Sequence, residues 1–180
     1  MATGLIYPNA PRAIAFTPSG LLVYVLTDTK LLTMSVGGGA TSVLAGSVYG
    51  FLNEQGTAAM FHVPSGLAVH AVTGVVFITD AVNNRVRTCT ELGLVGTLTG
   101  TGTSGNLDGE ASTATFAYPF GIVIDSNSVY LYVTSGDKLR QVAVSTGFTT
   151  TLRLINGQGL ATSYSGSMYD EKILTIFKYS

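Results

Sequence analysis

Few side chains in this 180-residue chain can do chemistry: two histidines, His62 and His70, one cysteine, Cys89, and ten carboxylates. Zinc sites draw their ligands from His, Cys and carboxylates, and a three-histidine site cannot be built from two. A Ser-His-Asp triad could be assembled from distant positions, but no G-x-S-x-G turn is present to hold the nucleophile. Cys89 lies two positions after Arg87, which would favour its thiolate if both were exposed; buried, it would pack as a small apolar residue. Asp108-Gly109-Glu110 has carboxylates of the kind a calcium loop uses. The related Asn53-Glu54-Gln55 has only one, so a turn in which Asp or Asn binds backbone amides is the expected role. Gly100 to Gly105, GTGTSG, satisfies G-x-G-x-x-G, but a dinucleotide site needs a helix to follow, and here NLDGEAST leads into another strand.

These slots recur. GFLNEQGTAAMFHVPSGLAV, Gly50 to Val69, returns as GNLDGEASTATFAYPFGIVI, Gly105 to Ile124, 55 positions later. The anchor is a proline followed two positions on by a small residue and an apolar triplet: Pro11 with AIAF, Pro64 with GLAV, Pro119 with GIVI. A fourth copy, Gly159 with LAT, follows Gly157 in the proline slot. The repeats run over approximately 1–46, 47–100, 101–154 and an incomplete 155–180.

Each full repeat breaks into four short runs rich in β-branched and aromatic residues, with no helical period. The second gives GLAVH, VVFIT, RVRTC and LVGTL. The first two runs are apolar on both faces, while the third alternates. Strands buried on both faces read as continuous apolar runs, so the early strands should be central and the later ones progressively exposed. The expected fold is all-β: a β-propeller-like array of four-stranded antiparallel blades, read from axis to rim, in an incomplete ring of about three and a half blades. Gly50 to Phe61 and Gly105 to Phe116 would link the rim of one blade to the axis of the next. Phe61 and Phe116 would plug between blades, and Pro64 and Pro119 would start the innermost strands. His70 shares the slot of Asp125 at the end of such a strand. With Asp80, these two are the candidate ligand- or partner-binding residues of a loop face.

Composition narrows the partners. Apolar residues make up 46% of the chain, enough for a core, and only 11% are charged, with a net charge of -1. No Lys/Arg run attracts phosphate backbones or anionic lipid, so neither nucleic acid nor a membrane surface is expected. Arg85, Arg87, Lys138 and Arg140 recur at matching positions, with Lys30 the equivalent of Lys138 in the first repeat. Asp80, Glu91 and Asp137 offset them, as salt-bridged blade edges would require. MATGLIYPNAPR lacks the basic start and apolar core of an export signal, no apolar run reaches about 18 residues, and no glycosylation sequon occurs. The lone cysteine leans weakly toward a reducing compartment, and localisation is otherwise open.

The repeat resembles that of the NHL-repeat β-propellers. In the second repeat the resemblance is carried by Ala59, Phe61, Pro64, Gly66, Asp80, Asn83, Arg85, Arg87, Leu98 and Gly100. In the third it is carried by Asp108, Ala114, Phe116, Pro119, Gly121, Asp125, Tyr132 and Arg140, and the first repeat keeps Pro11, Tyr24, Asp28, Leu44, Ala45 and Gly46. Two departures stand out. The histidine that gives the family its name is Asn84 here, read as drift at an exposed turn, and the family usually closes six blades. Propellers host both enzymes and scaffolds; because the polar positions recur with the repeat and no singular constellation stands out, the expected function is a non-catalytic protein-interaction or ligand-binding scaffold, with no catalytic residues, cofactor or metal. An incomplete ring leaves three expectations: the chain is a fragment of a longer propeller, it completes a ring with a second copy, or it docks a protein partner on its exposed blade faces. The alternative is a lactonase- or esterase-like hydrolase using axial carboxylates such as Asp80 and Asp125 around a divalent cation.

Overall fold

Turns fix the hairpins of this chain, whose computed structural model describes residues 10–152. Gly74, with φ 69°, and Gly147, with φ 73°, take the left-handed conformation that a side chain would strain. Their amides donate back to the carbonyls of His70 and Ala143 at 3.0 and 2.8 Å, reversing the chain. The strands flanking such turns are short: β1 (Ala13–Phe16), β2 (Leu22–Leu26), β3 (Leu31–Ser35) and β4 (Ser42–Ala45) form the first sheet. β5 (Pro64–Val69), β6 (Val76–Asp80), β7 (Arg85–Cys89) and β8 (Val95–Thr99) form the second. β9 (Pro119–Ile124), β10 (Tyr130–Ser135), β11 (Lys138–Ala143) and β12 (Thr149–Leu152) form the third. Each sheet is an antiparallel meander in chain order. Gly56–Ala58 makes a single 3-10 turn.

Pro64 and Pro119 begin β5 and β9, the first strands of their sheets. A proline cannot donate to a ladder and is tolerated at a strand's first residue. Between the sheets lie two apolar clusters. One joins Tyr24, Leu26 and Leu31 of the first sheet to Leu67, Val76 and Ile78 of the second, around Phe61. The other joins Ala68, Phe77 and Val86 of the second sheet to Ile122, Leu131, Val133 and Val142 of the third, around Phe116. Both phenylalanines are fully buried, each between two sheets.

The central strands of neighbouring sheets are also stitched by polar groups. Thr79 Oγ1 donates to the Phe120 carbonyl at 2.6 Å, and Ser65 Oγ reaches the Pro119 and Phe120 carbonyls at 3.0 Å each. Gly66 makes this approach possible, since a Cβ there would lie 2.6 Å from the Phe120 carbonyl oxygen. The result is face-to-face stacking of blades around their first strands. Three blades are described and they do not close a ring. The incomplete fourth repeat expected over 155–180 lies outside the described residues.

Candidate functional site

The most chemically loaded residues turn inward. Arg87, on β7, is fully buried and uses all its nitrogens. Nη1 donates to Asp80 Oδ2 at 2.7 Å and to the Met60 carbonyl at 3.2 Å. Nη2 donates to the Leu52 carbonyl at 2.9 Å and to Asn53 Oδ1 at 2.7 Å, and Nε donates to the Gly96 carbonyl at 3.1 Å. Asp80, equally buried, also accepts from the His62 amide and from Asn83 Nδ2, both at 2.8 Å. Burial pushes the Asp80 carboxyl above its ordinary value, while the bonds from Asn83, His62 and Arg87 pull it back.

Arg140, on β11, repeats the arrangement. Its Nη1 donates to the Thr115 carbonyl at 2.8 Å and its Nη2 to the Leu107 carbonyl at 3.0 Å. Thr115 and Leu107 are the counterparts of Met60 and Leu52 one 55-residue period on. The carboxylate, however, comes from the other side: Asp108 Oδ1 accepts from Nη2 at 2.9 Å, in the slot of Asn53. The slot of Asp80 holds Ser135, whose Oγ accepts from the Ala117 amide at 2.8 Å as Asp80 accepts from His62. Each buried arginine thus has one carboxylate, drawn from alternate positions. Burial works against the charge on Asp108, but bonds from the Thr151 amide and hydroxyl and from Arg140 hold its carboxyl below the usual range. Arg140 Nε is buried without a hydrogen-bond partner.

These clusters correct two expectations. Arg87 and Arg140 are not blade-edge cations, because the loops Gly50–Phe61 and Gly105–Phe116 fold over the third strands and offer backbone carbonyls to them. Lys138, paired with Asp137 at 3.0 Å, does behave as an exposed edge charge. Asp80, for its part, is not on an open loop face. It is sealed beneath His62 and Asn83, out of a partner's reach.

Nor are the three sequence-predicted site residues brought together. The pairing of Pro64 with Asp80, and of Val69 with Val76, puts Asp80 at the opposite end of the second sheet from His70. At about 3.3 Å per residue the two ends are roughly 17 Å apart. His70 Nδ1 accepts from the Val72 and Thr73 amides at 3.2 and 3.3 Å, and Asp125 Oδ1 accepts from the Val129 and Tyr130 amides at 2.7 and 3.0 Å. Both hold hairpin turns. The geometry therefore offers nothing to a hydrolase built from Asp80 and Asp125, which lie at opposite ends of their sheets. Among the described residues, no three His, Cys, Asp or Glu side chains are placed to hold a metal ion. Cys89 is buried, and burial pushes its thiol up to about 12 against the pull of Arg87.

Asn84 does more than mark drift. It takes a left-handed φ of 51°, which Asn tolerates, and it links two loops. Its Nδ2 donates to the Gly102 carbonyl at 3.2 Å, and its Oδ1 accepts from the Tyr118 amide at 2.9 Å. Val63 and Tyr118, one period apart and each preceding a strand-opening proline, also take positive φ, 52° and 51°. Such strain costs on the order of 1–3 kcal/mol per residue, and it recurs where the chain turns from loop into first strand.

Around this end lies a surface that the sequence reading passed over. Tyr49, Phe51, Val82 and Tyr118 are exposed there. The Tyr49 and His62 rings lie 5.4 Å apart, and the Val82 amide donates to the His62 carbonyl. The Arg85 guanidinium covers Phe51 at 3.9 Å. A signal was present, though not in the repeat itself: Ser47 to Leu52, SVYGFL, puts Tyr and Phe where the third repeat has Ser and Asn in GTSGNL, Gly102 to Leu107.

No family model and no curated protein matches the sequence. Solved structures do match in fold. An auxiliary nutrient binding protein from Bacteroides thetaiotaomicron aligns with TM-score 0.59 at 23% identity, over 67% of this chain and 33% of that one. The structure of a nidogen/laminin complex aligns with TM-score 0.59 at 19% identity, over 84% and 51%. Virginiamycin B lyase from Staphylococcus aureus aligns with TM-score 0.55 at 18% identity, over 85% and 44%. The shared feature is a propeller-type repeat fold. This chain spans a third to about half of each of these structures, 33% to 51%.

Proposed function

We propose that this chain is a non-catalytic binding scaffold on an NHL-like propeller, and that its partner meets the end carrying Tyr49, Phe51, His62, Val82 and Tyr118. The observation that carries this reading is the exposed aromatic loop Ser47–Leu52. The fold does not require it, because the third repeat turns the same corner with Gly, Thr, Ser and Asn. Exposed Tyr and Phe beside an arginine make the kind of surface that protein interfaces enrich. The NHL assignment rests on the motif residues, since the structural likenesses carry only the propeller. The buried ion pairs of Arg87 with Asp80 and of Arg140 with Asp108 serve the blades.

A photo-crosslinking amino acid placed at Tyr49, and separately at Phe148 on the opposite end, tests the reading in extract of the source cells. A discrete adduct from position 49, absent from position 148 and lost with Phe51→Ala, is the expected result. Equal adducts from both ends, or an adduct that survives Phe51→Ala, would overturn it.

A further inference from the structure

Tyr49 and Tyr118 stand at the two junctions between the described sheets. Tyr49 lies in the loop that leads to β5 and Tyr118 in the loop that leads to β9, and they are 49% and 42% exposed. A line of contacts joins them. The Tyr49 and His62 rings are 5.4 Å apart and inclined at 55°, so that they form a corner. The His62 carbonyl accepts from the Val82 amide, the chain runs from Val82 through Asn83 to Asn84, and Asn84 Oδ1 accepts from the Tyr118 amide at 2.9 Å.

Most polar groups along this line are engaged. Arg85 donates to the Asn83 and Thr101 carbonyls while its guanidinium covers Phe51. Asn83 Nδ2 donates to the Gly50 carbonyl and to Asp80, and Asn84 Nδ2 donates to the Gly102 carbonyl. The hydroxyls of Tyr49 and Tyr118 and the His62 imidazole, by contrast, make no hydrogen bond among the described residues. What the line offers a ligand is therefore aromatic rings and neutral groups able to donate. Backbone strain gathers here too, as it does at ligand clamps, with Val63 and Tyr118 at φ 52° and 51°.

We propose that this line receives a proline-rich segment of the partner in the polyproline II conformation; the inference rests on the scaffold reading above and names its ligand. A polyproline II chain makes no internal hydrogen bonds, so its carbonyls are left to accept, and its prolines bring no N–H that would need an acceptor. Both properties suit a surface whose free groups can donate. Proline-rich segments dock in aromatic-lined grooves, and the Tyr49–His62 corner and the Tyr118 ring supply two such walls. Other ligand shapes fit less well. An added β-strand needs an open ladder edge, whereas this end presents strand ends and the loops that join sheets. An amphipathic helix needs a continuous apolar groove, and here Asn83 and Asn84 interrupt the aromatic groups.

The probe is decaproline, titrated to millimolar concentration into the isotope-labelled 180-residue chain, with a glycine-serine decapeptide and cellohexaose as separate arms. Amide shifts at Tyr49, His62, Val82 and Tyr118, with none at Phe148, are the expected result. Tyr49→Ala is expected to weaken decaproline about tenfold, and Tyr118→Phe, which keeps the ring and loses the hydroxyl, by a smaller factor. Unchanged binding in both variants overturns the inference. So do an absence of shifts with decaproline, equal shifts with the glycine-serine peptide, and shifts with cellohexaose alone, which would mean that the line takes a sugar. Decaproline is also expected to suppress the crosslinked adduct from position 49. A Phe51-dependent adduct that persists in full beside decaproline overturns this inference and leaves the scaffold reading standing.

Discussion

Asp80 and Asp108 occupy non-equivalent positions in successive repeats, yet each is the carboxylate of its own sheet's buried arginine, at 2.7 Å from Arg87 and 2.9 Å from Arg140. The alternation follows from the cost of burying a guanidinium. A buried cation must be paired, but a guanidinium presents donors on several sides. The pairing can therefore be satisfied from the strand side, as by Asp80, or from the loop side, as by Asp108.

Removing the strand-side carboxylate should hurt most. Asp80→Ala leaves Arg87 charged, buried and short of its partner, which typically costs about 3–5 kcal/mol. Urea unfolding followed by far-UV circular dichroism measures it. Adding the third sheet's solution in the same molecule, as Asn53→Asp with Asp80→Ser, should recover most of the loss, giving a coupling well beyond additivity.

Asp108 sets part of the acid limb of stability. Its carboxyl is held below the usual value in the folded state, so its stabilisation is present above the unfolded value of about 3.9 and is lost as pH falls through the folded one. Because the side chain is 47% exposed, the contribution is expected to be only about 1 kcal/mol. Asp108→Asn should therefore lower stability near neutral pH and converge with the wild type in acid. A pH series of urea midpoints reads this directly.

Two phenylalanines ten positions apart should behave oppositely. Phe61 fills the gap between the first two sheets, and Phe61→Ala should cost about 3–5 kcal/mol. Phe51 is 42% exposed, with Arg85 over its ring at 3.9 Å and Arg87 at 4.6 Å, and Phe51→Ala should cost about 1–2 kcal/mol while removing the partner adduct. Thermal melts of both variants check the contrast.

Cys89 should be inert in the native state. With its thiol buried and pushed up to about 12, a disulfide reagent at pH 8 should label it at least tenfold more slowly in buffer than in denaturing urea. Equal rates would mean that the second blade opens readily at β7.

The period was legible in the sequence because it is written in residues with backbone consequences. Pro64 and Pro119 cannot sit inside a ladder, and Gly74 and Gly147 take a conformation other residues avoid, so the strand starts and turns followed from residue type. Phe61 and Phe116 were legible as plugs because an apolar ring at the end of a polar loop has one place to go. Depth was not legible. The alternation of Arg85, Val86 and Arg87 is the pattern of a half-exposed strand, and nothing in it shows that the preceding loop will double back to cover Arg87 with the carbonyls of Leu52 and Met60. For the same reason Asp80 read as a loop-face carboxylate. Position in a repeat says which way a side chain points along the blade, whereas burial depends on what the neighbouring segment lays over it. The aromatic end was missed because attention to the repeat favours what recurs, and Tyr49 and Phe51 are where it does not.

The exchange of carboxylates between Asp80 and Asp108 also constrains history. For two units of common ancestry, passing from an Asp/Asn arrangement to a Ser/Asp arrangement takes two substitutions, and their order matters. Losing the first acid before gaining the second strands a buried guanidinium. Gaining the second first leaves an intermediate with two acids, one of them on a half-exposed loop where it costs little. The viable route therefore runs through a doubly acidic blade, and the acid had to arrive on the loop before it could leave the strand, or the reverse.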